Sequence, residues 1–112
     1  MRIAFTSKGT VWDSKMDPRF GRTEFLLVYD EEKNELEHFD NRAIDDVSHG
    51  AGPRTSQKLF ELDADVLITG NGPGGNAATV LEKAGIKVFA GAGEMTVREA
   101  LTAYENNTLE AI

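Results

Sequence analysis

Residues 65–69 read DVLIT, and from Val66 to Thr69 every position is apolar or β-branched, with no alternation. So short and β-branched a run forms a strand rather than a helix, and a strand apolar on both faces has to be covered on both. The flanking segments supply that cover. Gly52-Pro53 marks a helix start, because proline at the first helical position has no N–H to waste. That helix is expected to run to about Leu62, burying Leu59, Phe60 and Leu62. After the strand, Ala77, Val80, Leu81 and Ala84 stand at i, i+3, i+4 and i+7, one face of a second helix. Gly85 ends it at the C′ position. Residues 86–90 (IKVFA) give the last strand, and Thr96 with Glu99 form a capping box for a third helix with Val97, Ala100, Leu101 and Tyr104 inward.

The first half of the chain has a different period. Residues 2–6 (RIAFT) and 24–30 (EFLLVYD) read as strands, the second apolar on both faces and therefore central. A turn at EEKN leads to residues 35–40 (ELEHFD), whose alternation suits an edge strand with Leu36 and His38 inward and Glu35 and Glu37 outward. The whole, residues 1–112, is predicted to be a single α/β domain. Its mixed sheet has five strands, antiparallel for the first three and then continuing α-β-α-β-α, with helices on both faces. Residues 7–23 and 41–51 are long for connections in so small a domain. If strands one and four are neighbours, both should rise from the same rim as the loop at residues 70–76.

Composition narrows the function. Twelve Lys and Arg against 19 Asp and Glu give a net charge of −7, whereas nucleic-acid binding draws its affinity from basic patches. Nucleic acid is not expected as a partner. No apolar run approaches the ~20 residues a membrane span needs. The opening MRIAFTSKG lacks a secretory leader's apolar segment, so a cytoplasmic location is expected. The chain has no cysteine, which removes thiolate ligands and thiol nucleophiles.

Residues 70–76, GNGPGGN, hold four glycines between a strand and a helix. Gly70, Gly72 and Gly75 formally match G-x-G-x-x-G, with Glu94 about 20 positions further on as a dinucleotide fingerprint would have it. An antiparallel first half, a short following helix and the N–H missing from Pro73 count against that reading. Two readings stay open for Gly70, Asn71, Gly72, Gly74, Gly75 and Asn76. One is an anion site at a helix N-terminus; the other is a turn whose glycines serve positive φ and close packing. In DPRFGR, Arg19 and Arg22 bracket Phe20-Gly21. Either Phe20 plugs the core while the arginines pair with local carboxylates, or the arginines flank an anionic ligand.

His38 reads as a surface or half-buried residue; His49, in SHGAG beside a helix start, is either an exposed or capping residue or the candidate metal ligand, since neutral imidazole is the best soft-metal ligand available without cysteine. Asp45-Asp46 reads as a solvated pair. No serine has a placed base, and no residue pair suggests acid, base or nucleophile roles, so no enzyme is expected.

The order DPRFGRTEFLLVYD, then SHGAGPRTSQKLFELDADVLITGNGPGGNAATVLEKAGIKVFAG, then TVREAL resembles the dinitrogenase iron-molybdenum cofactor biosynthesis family, from Ile3 to about Tyr104. The resemblance implies a ribonuclease H-like three-layer α/β/α fold without nuclease activity. It also implies a non-catalytic carrier of an iron-sulfur or iron-molybdenum type cluster, or its precursor, between assembly and acceptor proteins. Carried over by position, the binding residues would be Arg19, Phe20, Gly21, Arg22, His49, Gly50, Gly52 and the loop from Gly70 to Asn76, with His49 on the metal. The alternative is a regulatory module that binds phosphate or a small molecule through the glycine loop.

Overall fold

The computed structural model describes residues 1–43 and 50–112; residues 44–49 lie outside it, and with them the expectations for His49 and Asp45-Asp46. The elements are β1 (Arg2–Ser7), β2 (Phe25–Asp30), β3 (Glu35–Asp40), α1 (Ala51–Glu61), β4 (Val66–Ile68), α2 (Gly75–Lys83), β5 (Lys87–Ala90), α3 (Val97–Glu105) and β6 (Glu110–Ala111). They build one mixed sheet in the order β3-β2-β1-β4-β5-β6. β1 pairs antiparallel with β2 and parallel with β4, in register Ile3 with Val66 and Phe5 with Ile68.

Successive strand residues point to opposite faces, and the core divides accordingly. Ala4, Leu26, Val28, Leu67 and Val88 pack with Leu59 of α1 and Ala77 and Leu81 of α2. Ile3, Phe5, Leu27, Val66 and Ile68 pack with Val97 and Ala100 of α3. The sheet thus has helices on both faces, with β1 and β4 buried on each. On the α3 face Trp12 lies edge-on between Phe5 and Tyr29, at centroid distances of 6.2 and 5.1 Å.

The sheet has six strands, not the expected five. β6 is only two residues long and pairs with Phe89 and Ala90 of β5; so short a strand shows no period in sequence. Helix α1 starts earlier than predicted, with Gly50 as N-cap at φ 79°. Pro53 is then the third helical residue, still within the turn whose N–H groups have no intrahelical partner. Phe60, expected inside, is 55% exposed. β3 is the edge strand, but His38 is exposed, while Leu36 and Phe39 are half-buried on opposite faces. Gly85 at φ 76° and the Thr96–Glu99 capping box are as expected. Among the described residues no helix is long and apolar enough to cross a membrane.

At the rim formed by the N-terminal ends of β1 and β4, Arg2 ties the sheet together. It donates to Asp30 Oδ2 at 3.1 Å, to Glu37 Oε2 at 3.3 Å and to Leu62 O at 2.9 Å, while its backbone N–H reaches Asp65 Oδ2 at 2.8 Å.

Candidate functional site

Because β1 and β4 run parallel and side by side, their following loops leave the sheet at one rim, opposite Arg2. The segment 7–23 divides into two parts there. Its first part folds over the α3 face: Ser7 bridges Met16, Lys15 bridges Thr96, and Met16 is buried. Ser14 O and Trp12 O accept from the N–H groups of Val97 and Arg98, so backbone carbonyls as well as the capping box close the N-terminus of α3.

The second part, Asp17 to Thr23, turns the other way. Asp17 is fully buried and holds the turn through both carboxylate oxygens. Oδ1 accepts from the backbone N–H and Nε of Arg19 at 3.0 and 3.1 Å. Oδ2 accepts from Arg19 Nη2 at 3.0 Å and from the N–H of Glu24 at 3.1 Å. Burial alone would raise the carboxyl's pKa, but the hydrogen bonds from Arg19 and Glu24 outweigh it and hold Asp17 below the usual carboxylate range. Arg19 is thereby fixed at its base, with its side chain still 52% exposed.

Phe20 is buried in the α1–α2 core and also forms part of the cavity floor. Beside it Gly21 meets α1 so closely that an added Cβ would lie 2.7 Å from Gly52 N and 2.9 Å from Gly52 Cα. Thr55 Oγ1 donates to Gly21 O at 2.8 Å and fixes that contact. Gly52 in turn lies against Ala77 of α2, where an added Cβ would come within 3.0 Å of the alanine Cβ. Ser56 Oγ links the two helices, within hydrogen-bonding reach of Gly52 O at 3.0 Å and Ala77 O at 3.3 Å.

These contacts enclose an open cavity of about 430 Å³, within the size range of small-molecule sites. It brings together Arg19, Phe20, Gly21, Arg22, Gly52, Gly72, Gly74, Gly75 and Asn76 of the expected residues. Pro73, within the expected loop, lines it too, as do Pro53 and Ala77, neither of which was singled out from sequence as a site residue. Gly70 and Asn71 are not in the lining. An added Cβ at Gly70 would lie 2.6 Å from Pro18 Cα and 2.8 Å from Gly93 Cα, and Asn71 N–H donates to Pro18 O at 2.8 Å. Both tie the glycine loop to its neighbours. Gly50 caps α1 in the left-handed region.

The N-termini of α1 and α2 both open on this cavity, and among the described residues neither has a side-chain cap or an acidic residue in its first turn. The positive end of the α2 dipole thus faces this cavity. Gly74 and Gly75 differ from the other loop glycines. Neither has a positive φ, and an added Cβ at either would meet nothing within 4 Å. Neither backbone conformation nor packing against the rest of the chain calls for glycine at these two positions.

Fold and rim together define a small mixed α/β protein with an arginine-flanked, glycine-lined cleft on one side. A family profile described as dinitrogenase iron-molybdenum cofactor matches residues 1–107, and the chain belongs to that family. It is similar to the orange protein of Desulfovibrio gigas, solved in its apo form: 38% identity, TM-score 0.93, covering 99% of this chain and 92% of that one. It is also similar to a Thermotoga protein provisionally assigned as NifB, at 35% identity and TM-score 0.82, covering 98% and 91% of the two chains. A search of curated proteins found no match.

Proposed function

We propose that this protein is a non-catalytic carrier of an anionic iron-sulfur or iron-molybdenum type cluster, or its precursor, held in the cleft between α1 and α2 and passed between assembly and acceptor proteins. The observation that carries this reading is the pair Gly74 and Gly75 at the uncapped N-terminus of α2, where a side chain would fit the protein but would occupy the approach to the helix N–H groups. Glycine there suits a ligand that comes up against backbone. Arg19 and Arg22 flank the same space.

The donor set narrows the cargo. The chain has no cysteine, and among the described residues no group of three or more His, Asp and Glu could hold a metal ion. These residues fit a pre-assembled cluster that brings its own sulfide and is held by charge and N–H groups, with His49 as the single protein ligand. They do not fit a cluster built on protein thiolates. The ribonuclease H-like, non-nuclease frame that the resemblance implies would suit such a role, as would a cytoplasmic location among assembly proteins.

The test is anaerobic gel filtration of the protein with an isolated iron-sulfur cofactor precursor, assaying iron in the protein peak beside Gly75→Ala and His49→Ala. Iron should co-elute with the native protein and fall on the order of tenfold in each variant, while the Gly75→Ala fold is unchanged. No iron with the folded native protein, or equal iron in all three, would overturn the carrier reading. If inorganic phosphate alone then raised thermal stability, by about 2.7 kcal/mol at 100 times its Kd, the cleft would instead be a phosphate-type anion site.

A further inference from the structure

The wall of the cleft formed by Gly72 and Pro73 has little holding it from within. Asn71 N–H is bonded to Pro18 O, and Gly74 O accepts from Ala78 N–H. Between those two points, among the described residues, Gly72 and Pro73 make no hydrogen bond to the rest of the chain. The support comes from outside. An added Cβ at Gly72 would lie 2.8 Å from Ile112 Cδ1, so the isoleucine side chain sits directly against this glycine. Pro73 lines the cleft on one side and, on the other, an apolar groove of about 660 Å³ to which Ala111 and Ile112 contribute.

Ile112 is itself held lightly. Its N–H donates to Val88 O at 2.9 Å, and β6 adds only the pairs Phe89–Ala111 and Ala90–Glu110. Its surface is 64% exposed. Few buried contacts and a two-residue strand describe a unit that opens far more readily than the core.

We propose that β6 is a strap on the cleft: Ile112 is a positioning residue that holds Gly72-Pro73 in its wall-forming place, and undocking β6 loosens the wall and releases the ligand. The cargo part of this proposal rests on the carrier reading; the mechanical part does not. By linkage, a ligand that orders the wall also tightens β6 on β5. A partner that draws β6 away therefore promotes release.

Hydrogen exchange on the ligand-free protein tests the strap directly, comparing the native chain with Ile112→Ala and Ile112→Leu. In Ile112→Ala the hydrogen-bonded amides at the two ends of the wall, Asn71 (to Pro18 O) and Ala78 (to Gly74 O), should exchange about fivefold faster, with β1 and β2 unchanged and native rates restored in Ile112→Leu. Equal exchange at these amides in the native and alanine chains would overturn the strap whatever the cleft binds. A second arm follows loss of a synthetic anionic iron-sulfide cluster on gel filtration, which should be faster from Ile112→Ala than from Ile112→Leu. Faster exchange with equal cluster loss would overturn the release role and leave the mechanical one. A native chain that takes up no cluster would overturn the carrier reading and the release role, with the exchange result standing by itself.

Discussion

Asp17 is the buried charge around which the cleft rim is organised. Its four hydrogen bonds from Arg19 and Glu24 fix both the turn and the base of the arginine. Since its folded pKa lies below the ordinary value of 3.8, its contribution is present above the unfolded pKa and is lost as pH falls through the folded one. The native melting temperature should therefore drop from about pH 4 downward. Asp17→Asn should be less stable at neutral pH by about 1–3 kcal/mol, and that deficit should shrink in acid; thermal melts across pH check both. Sequence named the DPRFGR segment but could not apportion its roles, because burial of Asp17 and the approach of Gly21 to Gly52 arise between residues far apart in the chain. For Phe20 the two readings turn out to be compatible, since the ring reaches the core and the cleft together.

At the scale of elements, the contrast among the three helix starts is the informative feature. α3 is closed by Thr96, Glu99 and two carbonyls, whereas α1 and α2 have no side-chain cap among the described residues where they face the cleft. Giving α2 a cap by Gly74→Asp should add a few tenths of a kcal/mol to stability without ligand and abolish anion binding, as the new carboxylate takes the N–H groups. Thr96→Ala should do the reverse, costing about 1 kcal/mol with binding unchanged. Urea unfolding with and without the anionic probe separates the two. Most elements were legible in the sequence, because the change of period, Gly85 and the T-x-x-E pattern are local signals. β6 was not legible, since it depends on pairing with β5 rather than on any pattern of its own. The inward placing of Phe60 failed because the period fixes a helix's faces, but how far the neighbouring layer extends decides which residues it covers.

Over the whole molecule, the two rims of the sheet carry separate duties. One rim is tied by Arg2 to Asp30, Glu37 and the end of α1; the other brings the Asp17–Thr23 turn and the glycine loop to the cleft. Arg2→Ala should cost about 1–2 kcal/mol from its partly buried hydrogen bonds, seen in chemical unfolding, while leaving anion affinity unchanged at temperatures where the chain stays folded. The convergence of 7–23 and 70–76 at one rim was foreseeable from strand order alone. It depended on β1 and β4 being parallel neighbours, which they are.

The Phe5–Trp12–Tyr29 stack lies across the sheet from the cleft, and Trp12 is the chain's single tryptophan. Its emission therefore follows the integrity of the α3 layer and has no contact through which to sense what the cleft holds. Dimming of that emission by a coloured cargo would come from energy transfer through the protein, so one intrinsic fluorophore can report occupancy by its lifetime and folding by its wavelength.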